Sequence, residues 1–438
     1  VASALDCAIC LLWVLIFGRN VRSGLFCSRC RRFFCSDTRF AFCRSSTRSW
    51  MGLNSSQLLT GFYYNMERQL RFLMLNWRDP QNPASGGAER VSLAYLSALS
   101  SKGHDVWWFA NAYPDCEQES ILNGIHIIRR GGMGTSILAA NRWFQSQARF
   151  DLVIDQHHGI PWFAPWWTQT QCVSYIHEVL GPIWSSFYRW PLDQIGRIQE
   201  QFTHWLYRQT PFWTACKGTE DMLHARGIQS VKRIPYGVYT QALPSLPEKL
   251  MSAPLRLAVV SRLAPNKRID HAIQTLRCLK DRQIDAALKI IGTGDSMPQL
   301  KQCVGQLGLN DRVTFAGFLD EKQKDHSLQE AHIILHTSVR EGWGLNIIEA
   351  NAMGTPSAVY PVAGLTESTL DHVTGRVSKK ETPESLADAI HSMIKKPERY
   401  QQYRIEAWNR AKQFHWDAIL PKACDWLESM ALKGSPGP

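Results

Sequence analysis

The sequence predicts an α/β protein made of two doubly wound parallel sheets. Apolar runs of strand length alternate with segments of helical period, which is typical of parallel sheets covered by helices. The alternation is interrupted over residues 238–254, where Pro, Ser and Gln are frequent and no period is sustained. Setting the first 65 residues aside leaves about 370, enough for two to three domains of ordinary size.

The first set of strand–helix units is assigned to an N-terminal domain, residues 66–240. It begins with an apolar strand over residues 69–77 and a glycine loop. A helix is predicted over residues 88–101 because its apolar side chains recur at helical spacing, and Gly103 is placed to end it. Further strands are predicted at residues 105–110, 152–155, 172–176, 212–215 and 230–235.

The second set follows a linker at residues 241–254 and forms a C-terminal domain, residues 255–414. Helices at about 397–412 and 416–430 close the chain.

One unit of the second domain is the most informative about function. The apolar run 331–335 predicts a buried parallel strand, and Gly342 and Gly344 delay the next helix until about Leu345. Gly354 then ends that helix. Ligands of open parallel sheets collect at the carboxyl ends of strands, where this loop is expected to lie.

Two carboxylates flank this helix start, Glu341 in the loop and Glu349 one turn inside the helix. Helix rise and chain reach place them on the order of 10 Å apart. That gap suits two hydroxyl-bearing groups with a diphosphate between them, because the first-turn amides and the helix dipole favour an anion there. The alternative is that each carboxylate is a solvated surface charge.

The Glu341-x7-Glu349 segment resembles the motif of retaining GT-B glycosyltransferases of family four. The resemblance spans roughly residues 69–426 and implies a GT-B fold of two Rossmann-like domains facing a cleft, with the donor on the second and the acceptor on the first. It also implies that the segment 415–438 returns to the first domain as a helix and ends as a tail. Further segments similar to that family are Ser261 to Asp270, Ile290 to Asp295, Val313 to Phe318 and Gly86 to Arg90.

The resemblance implies transfer of a hexose from a GDP- or UDP-sugar to a saccharide or lipid-linked saccharide, with retention of configuration. Glu349 is then expected to hold the ribose hydroxyls and Glu341 the hydroxyls of the donor sugar. The other expected donor-binding residues are Gly86, Gly87, Gly292, Gly294, Gly342, Gly344, Leu345 and Asn346.

Arg262 and Lys267 are expected to neutralise the departing diphosphate. They lie at a strand end and in the loop after it, so a forked and a point-charge contact can reach the same anion. Each alone is more often a solvated surface cation. The chain contains no Asp-x-Asp triplet, and we expect neither a divalent metal nor any cofactor besides the nucleotide-sugar co-substrate.

His177 follows the predicted strand 172–176 and is the first-domain candidate for a catalytic residue. The sequence Ser174-Tyr-Ile-His177-Glu178 resembles the family segment that carries an active-site histidine. The alternative is a structural histidine with satisfied hydrogen bonds. His157 and His158 are weaker candidates and are expected to shape a loop.

Two other classes of function stay open. Gly292-Thr-Gly294 allows a dinucleotide-dependent oxidoreductase, but Met297 stands where that fingerprint needs its third glycine. A non-catalytic nucleotide-sugar-binding protein has the same residues, so only turnover separates it from an enzyme.

Residues 1–65 differ in composition from the rest of the chain. They hold six of the twelve cysteines and eight Arg against two Asp, so more than half of the formal charge of +11 lies there. The favoured interpretation is a start assigned too early, with the chain beginning at Met66. The alternatives are a zinc module built on two Cys-x-x-Cys pairs and a targeting segment over residues 8–17.

Eight of the seventeen tryptophans fall between Trp143 and Trp213, among them Trp162, Trp166 and Trp167. We interpret this cluster as a first-domain acceptor surface for a saccharide or lipid-linked saccharide, with peripheral contact at the inner membrane face as one form of it. Nucleic acid is not an expected partner. The lack of a convincing export signal and of a disulfide pattern predicts a cytoplasmic location.

Overall fold

The computed structural model describes residues 68–132, 134–157 and 159–433 of the 438-residue chain. The interpretations of residues 1–65, of Met66 as the start and of His158 lie outside the described residues. Residues from Arg71 onward form one compact unit with two separate β-sheets. The predicted fold class, two parallel Rossmann-like sheets, is confirmed.

The first sheet has eight strands in the order β3-β4-β2-β1-β5-β6-β7-β8. All neighbours pair in parallel except β3 and β4, which are antiparallel. The strands are β1 Arg71–Leu75, β2 Asp105–Ala110, β3 Glu119–Leu122, β4 Ile125–Arg129, β5 Leu152–His157, β6 Cys172–Ile176, β7 Phe212–Thr214 and β8 Val231–Arg233.

The second sheet is fully parallel, in the order β11-β10-β9-β12-β13-β14. Because the order reverses between β9 and β12, the loops that follow these two strands border one crevice. The strands are β9 Leu255–Val260, β10 Ala286–Ile291, β11 Val313–Gly317, β12 Ile333–His336, β13 Ser357–Val359 and β14 Gly375–Val377.

Helices connect the strands and cover the faces of both sheets. Those of the first half are α1 Gly87–Ser101, α2 Ser136–Gln145, α3 Trp184–Phe187, α4 Leu192–Leu206 and α5 Lys217–Ala225. Those of the second half are α6 Ile269–Asp281, α7 Met297–Gln306, α8 Glu321–Glu330, α9 Leu345–Ala352, α10 Leu365–Ser368, α11 Pro383–Ile394, α12 Pro397–Ala411 and α13 Trp416–Lys433.

The antiparallel pair β3 and β4 was not predicted. Its strands are joined by Asn123 and Gly124, both with positive φ (51° and 76°), which is the turn that favours a two-residue hairpin. The Asn-Gly pair was the available signal. Burial in β3 alternates between intermediate and exposed, so the segment lacks the apolar run that marks the other strands.

The residues between the two sheets are held against the second one. Trp408 of α12 donates its indole N–H to the carbonyl of Leu243, and Arg404 donates to the carbonyl of Pro247. The next helix, α13, packs instead against the first sheet and its helix α1. Lys102, at the end of α1, pairs with Glu428 at 2.6 Å, and the rings of Trp426 and of Trp213 in β7 lie 5.8 Å apart.

The predicted aromatic surface at residues 161–167 is wrong for Trp162. Its side chain is fully buried, stacked on Trp77 at 4.6 Å and edge-on to Phe109. Trp167 is partly buried against the same core, and Trp166 is exposed. The backbone amide of Trp162 donates to the buried carboxylate of Asp155, which fixes the segment with this indole inward.

A buried ion pair anchors the loop between β1 and α1. The Arg129 guanidinium, at the end of β4, donates from Nε and Nη2 to both carboxylate oxygens of Asp79, at 2.8 and 2.9 Å. Both side chains are buried, at 2% and 0% exposure. Such a forked pair fixes the loop in one position relative to the sheet edge.

Replacing Asp79 with Ala should therefore destabilise the fold, because it leaves the Arg129 guanidinium buried without a counter-charge. We expect the free energy of unfolding to fall by about 3–5 kcal/mol in denaturant titrations. The matched control is Asp221→Ala, which removes a solvent-exposed pair with Lys217 and should cause no measurable change. Equal losses in the two variants would contradict this account.

Candidate functional site

The crevice at the order reversal of the second sheet is lined by two of the predicted site residues, Lys267 and Asn346. Its walls are the carboxyl ends of β9 and β12, the loops that follow them and the start of α9. A different concavity, near Leu276 and Arg312 at the amino ends of the strands, contains none of them. The residues that line the crevice include Val260, Ser261, Lys267, His336, Thr337 and Asn346.

The loop after β9 reaches the crevice through a short 3-10 turn, Pro265–Lys267. Arg268, in the left-handed region (φ 45°), ends this turn and donates to the carbonyls of Thr337 and Ser338. Those carbonyls belong to the loop after β12. The two loops are therefore tied together directly behind Lys267.

Lys267 and Glu341 form the central ion pair of the site. The Lys267 ammonium lies 2.7 Å from Glu341 Oε2, and Nε2 of His336 lies 3.3 Å from the same oxygen. Burial alone raises the pKa of Glu341, but Lys267 and His336 together hold that pKa well below its usual range. The carboxylate is consequently ionised across the physiological pH range, and about a fifth of each side chain (20% and 21%) stays accessible to a ligand.

The loop after β12 contains two glycines, Gly342 and Gly344, and each is needed for a different structural reason. A side chain at Gly342 would lie 3.0 Å from the carbonyl oxygen of His177, a residue of the first sheet's side of the molecule. Gly344 has φ +83° and precedes the first residue of α9, Leu345. The Asn346 side chain donates to the carbonyl of Val260 at 2.6 Å, which holds the helix start against the end of β9.

Glu349 lies one turn inside α9 and is paired with Lys324 of α8 at 2.9 Å. Lys324 also contacts Glu321 at 2.6 Å, and Glu321 pairs with Arg90 of α1 at 3.0 Å. Burial raises the pKa of Glu349, and Lys324 lowers it in part. These four residues form a continuous line of alternating charge from the first sheet's helices to the carboxylate expected to bind ribose.

Gly292 and Gly294 serve the packing of neighbouring loops. A side chain at Gly292 would meet the carbonyl oxygen of Ser261 at 1.9 Å, and one at Gly294 would meet that of Leu263 at 2.3 Å. Both glycines have positive φ, at 130° and 157°. They allow the loop after β10 to approach the loop that carries Arg262, whose side chain is exposed and makes no ion pair among the described residues.

Gly86 and Gly87 begin α1 on the first sheet's side. The backbone N–H of Gly86 donates to the Glu89 carboxylate at 2.7 Å, and Glu89 in turn pairs with Arg78 at 3.3 Å. A side chain at Gly87 would meet no atom within 4 Å, so this glycine borders open space.

His177 follows β6, and both of its ring nitrogens have protein partners. Nδ1 contacts the Tyr236 hydroxyl, and Nε2 lies 2.8 Å from the side-chain nitrogen of Gln156. Because the Gln156 amide donates to Nε2, the ring proton belongs on Nδ1. The ring is thereby fixed in orientation, with its backbone carbonyl beside Gly342.

Glu178 is a residue of this site to which the sequence analysis gave no role. Its Oε2 atom is buried and accepts no hydrogen bond from any described residue. Burial, followed by the negative charge of Glu341, raises the pKa of Glu178 to about 7, although Lys267 and Arg340 oppose the shift. Its position directly after His177 was the available signal.

The structure thus brings Lys267, Glu341, His336 and the start of α9 together, with the His177–Glu178 segment facing them across Gly342. Glu349 is linked to the first sheet's side through Lys324. Arg262 borders the crevice without touching this cluster. The described residues contain no group of three or more His, Cys, Asp or Glu placed to hold a metal ion.

Two facing Rossmann-like sheets with an acidic and cationic crevice at the switch point define a protein of the GT-B class. Two family sequence models match consecutive parts of the chain: Glycosyltransferase Family 4 over residues 85–242 and Glycosyl transferases group 1 over residues 248–410. The chain belongs to the GT-B glycosyltransferases of family four.

The chain matches less than half the length of the curated relatives described here. It is 25% identical over 220 residues to the poly(glycerol-phosphate) alpha-glucosyltransferase of Bacillus subtilis, which covers 50% of this chain and 32% of that protein. It is 29% identical over 172 residues, 39% of this chain and 43% of the relative, to a GDP-mannose-dependent alpha-(1-6)-phosphatidylinositol dimannoside mannosyltransferase of Mycobacterium tuberculosis.

Solved structures share the fold at low identity. A sucrose-phosphate synthase from Thermosynechococcus elongatus superposes with a TM-score of 0.69 and 17% identity, over 83% of this chain and 100% of that one. The Anabaena protein HepE in complex with UDP and glucose gives a TM-score of 0.64 and 18% identity, over 82% and 100%.

The raised pKa of Glu178 predicts a stability that depends on pH. The folded protein holds this proton to about pH 7, whereas an unfolded glutamate releases it near 4.5, so stability falls as pH rises between these values. Glu178→Gln should remove that loss. Relative to wild type, its free energy of unfolding should rise between pH 5 and pH 8 by on the order of 2–3 kcal/mol.

Denaturant titrations at pH 5, 6.5 and 8 measure this difference. Glu398→Gln, at an exposed carboxyl on α12, is the control and should run parallel to wild type. A Glu178→Gln curve that also runs parallel would show that the carboxyl is already ionised at pH 5.

Proposed function

We propose that this protein transfers a hexosyl group from a GDP- or UDP-sugar to a saccharide or lipid-linked saccharide, with retention of configuration and without a divalent metal. The observation that carries the proposal is the Lys267–Glu341–His336 cluster at the switch point of the second sheet. In this cluster the ionised Glu341 carboxylate can accept hydrogen bonds from sugar hydroxyls, and the Lys267 ammonium supplies a positive charge beside the start of α9.

Glu341 is suited to the donor sugar. Its carboxylate stays ionised, so both oxygens accept hydrogen bonds, and only Oε2 is held by Lys267 and His336. Hydrogen bonds from sugar hydroxyls to a charged acceptor are the strong kind. The positive charge that develops on the anomeric carbon in the transition state is stabilised by the same carboxylate.

Lys267 is suited to the diphosphate. An ammonium has three N–H donors, and Glu341 uses one of them, so two remain for phosphate oxygens. At the start of α9, the amide of Ile347 donates to the carbonyl of Gly344, whereas the amides of Leu345 and Asn346 have no backbone acceptor among the described residues and Asn346 lines the crevice. Arg262, exposed and without an ion pair among the described residues, supplies a second cation. Negative charge on the leaving diphosphate is thus neutralised by the chain itself.

The names of relatives guide the choice of donors. One relative's name specifies GDP-mannose, and a structural neighbour is described with UDP and glucose. The direct test is a panel of GDP- and UDP-sugars, with release of nucleotide diphosphate measured with and without saccharide acceptors. The proton NMR signal of the product's anomeric hydrogen tests retention.

Glu341→Gln should lower kcat/KM for transfer by about 10–100-fold, because an amide replaces the charged acceptor of the sugar's hydrogen bonds. The matched control is Glu330→Gln, which removes a more exposed Lys–Glu pair of the same domain (Lys289, 3.4 Å) and should leave kcat/KM unchanged. Tight donor binding by the wild-type protein with no transfer or hydrolysis would instead favour a non-catalytic nucleotide-sugar-binding protein.

Chelation of divalent metals should not change the rate, because Lys267, Arg262 and the α9 amides take the role of a metal at the diphosphate. Initial rates with EDTA and with added Mg²⁺ should agree. Lys267→Met should lower kcat by about 10²–10³-fold, and Mg²⁺ should not restore it. Loss of activity in EDTA that Mg²⁺ reverses would refute the metal-free clamp.

A further inference from the structure

Helix α4 exposes its apolar side. Six large hydrophobic residues in and just before this helix are exposed, from 39% at Ile195 to 81% at Trp190. Within the helix they recur at intervals of three or four residues, so they share one face. We call this surface the α4 face; it consists of Trp190, Leu192, Ile195, Ile198, Phe202 and Trp205.

Five polar residues of the same helix are buried, namely Asp193, Gln199, Glu200, Thr203 and His204. Glu200 accepts hydrogen bonds from the backbone amides of Leu180 and Gly181, at 2.6 and 3.0 Å, and pairs with Arg226 at 3.2 Å. Gln199 donates to Thr203 at 2.8 Å. A surface helix of a soluble protein ordinarily turns its apolar stripe to the core and its polar residues to water, and α4 does the opposite.

Close packing fixes the helix in this rotation. Gly196 faces the indole of Trp184, and a side chain there would lie 2.4 Å from the ring. Only glycine allows this approach. A rotation of α4 that buried its apolar side would also break the hydrogen bonds of Glu200. The free-energy cost would be large, because a charged carboxylate would lose its partners.

The accessible charged side chains of α4 and of the segments next to it in the chain are positive. Between residues 185 and 210 the only acidic residues are Asp193 and Glu200, and both are buried. The basic residues of that stretch are Arg189, Arg197 and Arg208, none of which is buried. Arg208 also lies over the Trp205 ring at 4.9 Å, beside the stacked pair of Phe202 and Trp205.

We propose that the α4 face binds the surface of an anionic lipid bilayer, with the helix lying in the plane of the interface. Apolar side chains then enter the acyl boundary, the tryptophans lie at the headgroup level and the arginines meet lipid phosphates. No helix of the described chain is long and apolar enough to span a membrane, and the 15 residues of α4 reach about 22 Å.

A second copy of the chain fits the α4 face less well. A two-fold contact through this face would bring the arginines of each copy together, and residues 185–210 supply no exposed acidic residue to balance them. The same arginines complement the negative potential of anionic lipids.

The α4 face is mechanically joined to the candidate site. Glu200, on the buried side of the helix, holds the amides of Leu180 and Gly181, which follow His177 and Glu178 by only a few residues. A lipid-linked acceptor could then enter the site from this side, an inference that rests on the proposed function. Binding of the bilayer itself does not depend on it.

The test is co-sedimentation of the full chain with two kinds of vesicle. One is phosphatidylcholine alone, and the other contains about 30% phosphatidylglycerol, which gives its surface a negative potential. We expect binding to the anionic vesicles that weakens with added salt. Ile198→Ser with Phe202→Ser should reduce the partition coefficient at least ~10-fold, because two exposed side chains lose their apolar burial in the bilayer.

The matched control replaces an exposed isoleucine and phenylalanine elsewhere, Ile121→Ser with Phe318→Ser, and should bind as wild type does. Since Ile198 and Phe202 are exposed, their loss should not unfold the protein, which circular dichroism verifies. Release of nucleotide diphosphate with soluble acceptors should also be unchanged, so the vesicle result stands apart from the proposed activity.

Three outcomes would overturn the proposal. The first is no binding to either vesicle, and the second is equal binding by wild type and the Ile198/Phe202 variant. The third is a concentration-dependent dimer, detected by analytical ultracentrifugation and abolished in that variant, because the occupant would then be a second copy.

Discussion

The Lys267–Glu341 contact is the interaction on which the site depends, and the strand order of the second sheet makes it possible. Lys267 follows β9 and Glu341 follows β12, two strands separated by 72 residues of chain but adjacent in space. If the strands lay in sequential order, these loops would be three strands apart, roughly 14 Å by the usual strand spacing. The reversal of order therefore creates a charge pair that no local segment could form.

The pair also sets the electrostatics of its surroundings. Its cation keeps Glu341 ionised, and the resulting negative charge acts on Glu178 across the crevice, where burial already disfavours ionisation. Two carboxyls that face each other consequently have opposite protonation tendencies near neutral pH. Groups with separated pKa values of this kind are typical of sites that handle protons or charged ligands.

The sequence predicted the parts of the fold that have a local signature. Strands at residues 105–110 and 172–176 have the predicted bounds because each is a short, mostly apolar segment, and α9 begins at Leu345 because two glycines precede it. Pairings between distant elements have no such signature. The links of Glu349 to Lys324 and of Gly342 to His177 depend on how α8, α9 and the first sheet meet, which periodicity does not encode.

Helix α4 illustrates a second limit. Its period indicates an amphipathic helix, and the ordinary rule turns the apolar side inward. The reversal comes from two contacts outside the helix, the indole of Trp184 against Gly196 and the amides held by Glu200. The sequence predicts one aromatic surface among the tryptophans from Trp143 to Trp213, whereas Trp162 and Trp213 are buried and the larger exposed patch lies near residues 190–205.

The line of charges from Arg90 to Glu349 has a thermodynamic consequence. Lys324 is shared between Glu349 and Glu321, and Glu321 is the partner of Arg90 on the opposite half of the molecule. A ligand that takes up the hydrogen-bonding capacity of Glu349 frees part of Lys324 for Glu321 and so changes the competition for Arg90. Binding linkage is reciprocal, so the distance between the halves and the occupancy of Glu349, the carboxylate proposed to bind ribose, are coupled variables of one equilibrium.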